Sequence, residues 1–268
     1  MTSDPLADLA ELPGVAEAAE QARGDIDALL WDRGLRSRMA EVVAASRLRG
    51  GWASAAIDGA DVRPESLRSG AVPDGSPIGR VVAASLLLQE QIPRAVVVCE
   101  QAPLQAWASL HSVVAHGFVP DEDLGRPRRG DTADDPLRLG QVPPAVEAAR
   151  RLEALGRLLL TAKAAPAVLL AGVAHAELQA VRPFAWGSGL LARATVRMVL
   201  AARGVDPDGV CVPEAGVLAV GRPAYAQALR GYLAATPEGV GAWLVFSCRS
   251  LSEGAAEARR AYDALPPR

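Results

Sequence analysis

The sequence has few of the residues that build disulfide scaffolds and metal sites. Its 268 residues include only 3 Cys and 3 His. Cys99, Cys211 and Cys248 are far apart, odd in number and surrounded by apolar residues, which excludes a disulfide framework and favours a reducing compartment. His111 and His116 do not share a helical face, and no clustered cysteine or carboxylate accompanies them. A metal site is accordingly not expected.

The sequence also lacks an excess of either charge. It carries 28 basic and 31 acidic residues, a formal net charge of -3, whereas a dedicated nucleic-acid surface would be strongly basic. Lys163 is the only lysine, which indicates a bias in coding composition rather than a function. We therefore expect no nucleic-acid partner.

Long hydrophobic runs are absent as well. Residues 81–88 form an apolar run that is too short to cross a membrane, which takes about 18 residues. Residues 1–8 are acidic and lack the basic-then-apolar order of a signal peptide. With 50% hydrophobic and 22% charged residues, the composition is that of an ordinary globular protein. These features predict a cytoplasmic protein without a membrane partner.

Apolar residues recur mostly at helical spacing, for example at Met39, Val42 and Val43, and predict a mainly all-α fold. Glycine and proline are frequent between the helical patterns, so we expect three parts in the chain. These are N-terminal helices at 1–60, a linker at 61–77, and one continuous helical core at 78–268.

The segment 117–144 is the least regular part of the chain, rich in Gly, Pro, Asp and Arg. A loop or a small β-hairpin is expected there. The only strand signal within it covers residues 137–139.

Residues 182–193, Arg-Pro-Phe-Ala-Trp-Gly-Ser-Gly-Leu-Leu-Ala-Arg, are the most informative segment. They join two helix-like stretches and contain a turn with two glycines. Glycines let a backbone approach a phosphate closely, and the free amides of a following helix point at it. The segment therefore predicts a cradle for an anion.

This segment resembles the signature H-P-F-x-[D/E]-G-N-G-R-x-x-R of the Fic (Fido) family, whose members usually transfer AMP from ATP to a hydroxyl group of a target protein. The positions that match are Pro183, Phe184, Gly187, Gly189 and Arg193. Further resemblances follow in the family's order over roughly residues 40–250, including a substrate-flap pattern at 125–144. The resemblance implies a Fic-like helical bundle with a small β-hairpin flap.

Four positions depart from the signature. Arg182 stands where the family has its catalytic His, Trp186 where it has the acidic metal ligand, Ser188 where it has Asn, and Leu190 where it has the first Arg. A guanidinium offers no proton acceptor, and Mg²⁺ requires oxygen ligands. The chain is thus expected to have no catalytic residue and no metal ligand in this loop. ATP and Mg²⁺ would bind only if the altered site still holds them.

Three of these residues have two interpretations each. Arg182 either clamps an anion or pairs with a nearby acid such as Glu177 or Asp58. Trp186 either stacks on an aromatic ligand or fills the space of the ligand. Ser188 either caps the following helix or contacts an anion.

The resemblance also implies a regulatory contact. Residues 54–59, Ser-Ala-Ala-Ile-Asp-Gly, resemble the family's inhibitory-helix pattern [S/T]-x-x-x-[E/D]-G, with Ser54, Asp58 and Gly59 at its defined positions. In the family, the acid reaches the second signature Arg and holds the γ-phosphate site shut, and here the pair would be Asp58 with Arg193. Asp is one methylene shorter than Glu, so the alternative is that Asp58 caps the helix end.

Together these observations predict a Fic-fold protein that lacks standard adenylylation activity and binds an anionic small molecule or a protein partner. Two enzymatic alternatives stay open: altered chemistry on a phosphorylated substrate, with Arg182 and Arg193 as clamps, and residual protein adenylylation assisted by another base. The resemblance also implies pairing of two copies through helical faces, although no residue pattern marks such a face.

Overall fold

The computed structural model describes residues 6–60 and 75–266, and the regular structure in these ranges is helical. The prediction of a mainly all-α fold is confirmed. The described helices are α1 (Ala7–Ala10), α2 (Val15–Trp31), α3 (Arg33–Ser37), α4 (Met39–Ile57), α5 (Pro77–Cys99), α6 (Pro103–Val114), α7 (Ala145–Thr161), α8 (Ala167–Val181), α9 (Ser188–Ala202), α10 (Pro213–Val220), α11 (Arg222–Leu233) and α12 (Pro237–Asp263).

Helices α8 and α9 form the centre of the fold. Almost all of their side chains are buried, because the two helices pack against each other and against neighbours on their other sides, α12 beside α8 and α5 beside α9. Trp243 of α12 is fully buried and donates its indole N–H to the carbonyl of Gly172 at 2.9 Å. A Cβ on Gly172 would lie 2.9 Å from Ser247 Oγ, so the glycine permits this close helix packing.

The N-terminal helices pack around this centre. Helix α2 lies along α12, while α4 packs against α5, α10 and α12 and also touches α9. Helix α4 ends at Ile57 and is followed by Gly59 with φ +94, a left-handed turn that glycine adopts without strain. Most of the predicted linker lies outside the described residues. Helix α5 begins at Pro77, and the Ser76 hydroxyl caps it by accepting the N–H of Gly79 at 2.9 Å.

The predicted β-hairpin flap is wrong, because residues 117–144 form no strand and the described chain shows only one isolated β-bridge. The backbone groups around residues 137–139 bond to side chains instead. The Asp135 carboxylate accepts the N–H of Leu139 at 2.8 Å and that of Gly140 at 2.9 Å. Arg230 donates to the carbonyls of Leu137 and Arg138. These contacts occupy the backbone N–H and C=O groups that would otherwise form the hydrogen bonds between the strands of a hairpin.

Helix α5 is the one described helix that is long and apolar enough to cross a membrane by length and composition, with a mean hydropathy of 1.4. It contains the apolar run 81–88 and extends beyond it on both sides. Helix α5 packs against α4, α6 and α9 and buries Val82, Leu88 and Ile92. In its apolar stretch 39% of the residues are buried, while Leu87 and Val97 are exposed.

Candidate functional site

The loop between α8 and α9 brings two helix ends together. Pro183 disfavours the helical conformation in the residue before it, and Arg182 adopts a left-handed conformation with φ 39 that ends α8. Gly187 has φ 78 and precedes the first residue of α9. The two left-handed residues reverse the chain within a few positions, which leaves the N-terminus of α9 beside the end of α8.

Arg193 lies in the second turn of α9 and is almost fully buried. Its Nε donates to Ser54 Oγ at 2.8 Å, and its Nη2 donates to the Ser54 carbonyl at 3.0 Å and to Asp58 Oδ2 at 2.7 Å. Burial by itself lowers the pKa of Arg193, but the Asp58 carboxylate outweighs it and raises that pKa above the ordinary value. Asp58 follows the last residue of α4, yet its side chain reaches Arg193.

Gly189 allows the Asp58 carboxylate to approach the first turn of α9. A Cβ at this position would lie 3.2 Å from Asp58 Oδ2 and 3.4 Å from Arg193 Nη1. The carboxylate is therefore next to a helix N-terminus, the environment in which backbone amides and the helix dipole stabilise negative charge.

A second carboxylate, Asp134, lies at the same helix end. Its Oδ2 accepts the N–H of Gly187 at 3.2 Å, and its own backbone N–H donates to the Ala185 carbonyl at 3.0 Å. Burial raises the pKa of Asp134 to about 6, and the nearby charge of Asp58 acts in the same direction. Sequence reasoning did not identify Asp134, although its position in the segment that resembles the flap is a signal that could have pointed to it.

Arg182 is buried and contacts the irregular segment. Its Nη1 lies 3.0 Å from Asp135 Oδ2, and its Nη2 donates to the Gly140 carbonyl at 2.6 Å. Its acid partner is thus Asp135 and neither of the acids expected from the sequence. Glu177 instead accepts hydrogen bonds from Arg151 and Tyr232, and Asp58 binds Arg193. The left-handed turn at Arg182 explains the difference, because its side chain leaves the face of α8 that carries Glu177.

Arg128 ties the irregular segment to the end of α8. Its Nε donates to the Arg182 carbonyl at 2.9 Å, and its Nη2 donates to the carbonyls of Val181 at 3.2 Å and Pro143 at 2.6 Å. These acceptors include carbonyls that a helix C-terminus leaves without partners. Burial lowers the pKa of Arg128. The segment is therefore held by main-chain groups and is fixed against the loop.

Trp186 stacks on a side chain of the protein itself. Its ring is parallel to that of Phe118, with 3.8 Å between the centroids, and the Arg80 guanidinium lies 4.6 Å from the Phe118 centroid. Phe184 is buried and stacks on His111 at 4.0 Å. Both aromatic residues of the loop therefore fill space within the fold.

His111 holds the loop in place through a single tautomer. Its Nδ1 accepts the N–H of Gly125 at 2.9 Å, so the proton resides on Nε2, which lies 3.2 Å from the Trp186 carbonyl and donates to it. Burial lowers the pKa of His111 to about 4. The imidazole is neutral at pH 7 and acts as a structural link.

Ser188 does not cap α9, so that interpretation is wrong. Gly187 is the N-cap residue, and Ser188 is the first residue of the helix. The Ser188 hydroxyl donates to the Phe184 carbonyl at 3.2 Å and lies 3.3 Å from the Phe184 N–H. The left-handed conformation of Gly187 begins the helix one position earlier than the sequence suggested.

His175 of α8 is buried in the core. Its Nε2 is 2.7 Å from the Tyr225 hydroxyl, to which Gln179 donates at 2.8 Å. Burial lowers the pKa of His175 to about 3, so the imidazole is neutral near pH 7.

Solved structures of Fic proteins share this fold. A Fic family protein from Desulfovibrio desulfuricans G20 has a TM-score of 0.75 over 95% of this chain and 76% of its own, at 18% identity. A Fic domain containing signaling protein from Bacteroides thetaiotaomicron VPI-5482 has a TM-score of 0.64 over 94% and 100%, at 15% identity. Fic-1 from C. elegans has a TM-score of 0.62 over 97% and 74%, at 18% identity. No family profile and no curated protein matches the sequence. The shared architecture shows that the chain has the fold of the Fic proteins.

Proposed function

We propose that this chain is a Fic-fold protein with a degenerate nucleotidyltransferase site, which lacks standard adenylylation activity and acts by binding an anionic ligand or a protein partner. The observation that carries the proposal is the position of the Asp58 carboxylate. It is bound by Arg193 and lies beside Gly189, at the helix N-terminus that the fold would offer to an anion.

The loop does not fit Mg²⁺, the metal that the fold family implies. Trp186 has no oxygen to offer at the position of the family's metal ligand, and its ring is stacked on Phe118. At the start of α9, one oxygen of Asp58 is bound by Arg193 and one oxygen of Asp134 by the Gly187 N–H. The other oxygen of each carboxylate has no partner within the described residues, but the nearby charge of Arg193 opposes a cation there. No group of three His, Cys, Asp or Glu side chains that could hold a metal occurs in the described part of the chain.

The loop also lacks the usual general base. The Arg182 guanidinium has only donors to offer, and it contacts Asp135 and the Gly140 carbonyl. General base catalysis typically contributes about 10²–10⁴-fold to a rate. Loss of the base together with the metal ligand supports a protein that binds without standard transfer.

Unused hydrogen-bonding capacity at the site supports binding of an anion. Two of the buried atoms without a hydrogen-bond partner within the described residues are arginine donors, Arg193 Nη1 and Arg182 Nε. Asp58 Oδ1 and Asp134 Oδ1 also lack a partner there, but these oxygens repel an anion. Buried donors are nearly always satisfied in native proteins, so the two unused arginine N–H groups support an anion as their partner. An anion that displaced the Asp58 carboxylate would gain charge-assisted hydrogen bonds from Arg193 and the amides of α9.

One observation favours the enzymatic alternative, in which the chain acts on a phosphorylated substrate. Asp134 has a carboxylate oxygen without a partner among the described residues and a pKa of about 6, so it can accept a proton near neutral pH. In that case Asp134 would be the base and Arg193 would hold the phosphate. Any turnover should then be lost in Asp134→Asn, whereas a protein that only binds shows no turnover to lose.

Calorimetric titration with pyrophosphate tests the binding proposal. Asp58→Asn removes the negative charge but keeps the size of the side chain, so it should bind pyrophosphate at least about tenfold more tightly than the unaltered chain. Asp58→Asn combined with Arg193→Met should lose that gain. Asp121→Asn changes an exposed acid and is the matched control. Equal affinity of Asp58→Asn and the unaltered chain would overturn the proposal.

Labelled ATP with Mg²⁺ tests the proposed lack of transfer. We expect no incorporation of label into the chain itself or into a general protein substrate. Clear incorporation that disappears in Arg182→Ala would contradict the proposal and favour an altered enzyme.

We also propose that the protein resides in the cytoplasm. Its three cysteines are free and buried, which supports a reducing environment.

A further inference from the structure

A separate cavity lies at the other end of α9. It has a volume of about 240 Å³ and is enclosed by α4, α5, the end of α9 and the loop that follows α9. Its apolar wall is formed by Val43, Ile92, Val96 and Ala201. Ala201 is about 18 Å along α9 from Gly189, given a rise of 1.5 Å per residue, so this cavity is distinct from the candidate site.

Gln89 provides hydrogen-bond acceptors in the wall of this cavity. It is 2% exposed, and its Nε2 donates to Glu214 at 2.8 Å, which fixes the orientation of the amide because the carboxylate accepts. Its Oε1 is buried and has no partner within the described residues. Pro93, which also lines the cavity, has no N–H to donate to the Gln89 carbonyl four residues earlier. Gln89 therefore has acceptor capacity that the protein does not use.

Arg47 provides a cation in the same wall. It is partly buried and forms no ion pair or hydrogen bond with the residues that the structure describes. Arg197, the other arginine of the wall, differs because Glu214, Ser46 and Gly209 accept its hydrogen bonds. Arg47 is thus the guanidinium of this cavity that is available for an acid from outside the chain.

We propose that this cavity binds a small zwitterion with an aliphatic body, the chemistry of a free aliphatic amino acid. The ammonium group donates to Gln89, the carboxylate pairs with Arg47, and the side chain packs on the apolar wall. Asp208, an exposed acid at the rim, disfavours a ligand with net negative charge and so distinguishes this cavity from the anion cradle. A volume of about 240 Å³ is below the 300–1,000 Å³ typical of pockets for drug-sized ligands, which limits the ligand to a small one.

Calorimetric titration of the full chain with three related probes tests the proposal. The probes are L-leucine, 4-methylpentanoate, which lacks the ammonium group, and 3-methylbutylamine, which lacks the carboxylate. Leucine should bind saturably, and each truncated probe should bind at least about tenfold more weakly. Absence of saturable leucine binding up to about 10 mM, or equal binding of all three probes, overturns the proposal.

Variants locate the binding. Arg47→Met should weaken leucine binding at least about tenfold, and Ala201→Met should abolish it by filling the cavity. Arg94→Met changes an exposed arginine of α5 outside the cavity and is the matched control. Leucine binding that Arg47→Met and Ala201→Met leave unchanged, with thermal unfolding showing both variants folded, overturns the assignment. If a variant does not fold, the proposal is judged by the binding of the three probes to the unaltered chain.

Discussion

Asp58 and Asp134 place two carboxylates at the start of one helix. Asp134 Oδ2 accepts the N–H of Gly187 at 3.2 Å, while Asp58 Oδ2 lies 2.7 Å from Arg193 Nη2 and beside Gly189. Their mutual repulsion is offset by Arg193 and by the positive end of the helix dipole. The N-terminus of α9 therefore already carries negative charge supplied by the chain itself.

Asp58→Ala should lower the free energy of unfolding by about 3 kcal/mol, because Arg193 would keep a buried charge without an acid partner. This is the low end of the range for breaking a buried pair, since the Asp58 side chain is still 10% exposed. Urea unfolding at pH 7 provides the measurement. The exposed control Asp121→Ala should change stability by less than about 0.5 kcal/mol. An Asp58→Ala variant as stable as the unaltered chain would show that the pair contributes little.

Asp134→Asn should stabilise the fold at neutral pH. Burial raises the pKa of Asp134 from 3.8 to about 6, so the folded chain holds this proton more tightly than the unfolded chain does. The stability of the unaltered chain therefore falls as pH rises from about 4 to about 6, and the full loss applies above that range. Asparagine keeps an acceptor for the Gly187 N–H without a charge. The advantage of the variant should reach on the order of 2 kcal/mol at pH 7 and vanish near pH 4. An advantage that does not change with pH would contradict this account.

Restoring the family signature should not suffice to restore nucleotide binding. The four changes are Arg182→His, Trp186→Asp, Ser188→Asn and Leu190→Arg, and they leave Asp58 on Arg193. We expect calorimetry to detect ATP binding when Asp58→Ala is added as a fifth change, and little without it, because the carboxylate competes for the same guanidinium. Equal ATP affinity of the fourfold and fivefold variants would show that Asp58 does not close the site.

Gly216→Ala should destabilise the fold by about 3 kcal/mol or more. A Cβ at Gly216 would collide with the Ser250 carbonyl oxygen and lie 2.7 Å from the Gly254 nitrogen, so the backbones of α10 and α12 would have to separate. Gly24→Ala is the matched control, since a Cβ there meets nothing within 4 Å. That change should stabilise helix α2 by about 0.5–1 kcal/mol. Thermal unfolding of both variants provides the measurement. A Gly216→Ala variant as stable as the unaltered chain would show that α10 and α12 do not pack this closely.

The helices of this fold are predictable from sequence because their apolar spacing is a local signal. The conformation of the loop is harder to predict, because neighbouring residues in the sequence do not determine it. Whether Ser188 caps or begins α9 depends on the left-handed conformation of Gly187, which shifts the helix boundary by one residue. The flap pattern likewise indicates an irregular segment but not its path. That path depends on Arg128, whose hydrogen bonds reach carbonyls more than fifty positions away.

The acidic residues of the site are likewise only partly predictable from the sequence. The family resemblance implies a pair of Asp58 with Arg193, with a helix cap by Asp58 as the alternative, and the structure shows the two side chains in contact. Asp134 and Asp135 lie in the irregular segment, where no periodicity assigns a direction to a side chain. They meet Gly187 and Arg182 only because long-range hydrogen bonds hold that segment against the loop.

The Asp58 carboxylate competes with any free anion for the Arg193 guanidinium. Because it belongs to the same chain, its ability to compete is expressed as an effective concentration. A group held by the same chain acts at millimolar levels or above, and it does so without the translational entropy that a free ligand loses on binding. A free monoanion that offers the same single contact to Arg193 therefore displaces it only at concentrations above that level. A ligand that bridges Arg193 and the amides of α9 at once can, because each additional contact is also intramolecular after the first. Under the proposed function, the site therefore selects a ligand by the number of linked anionic groups that it carries, and it prefers a polyanion to chloride and simple carboxylates.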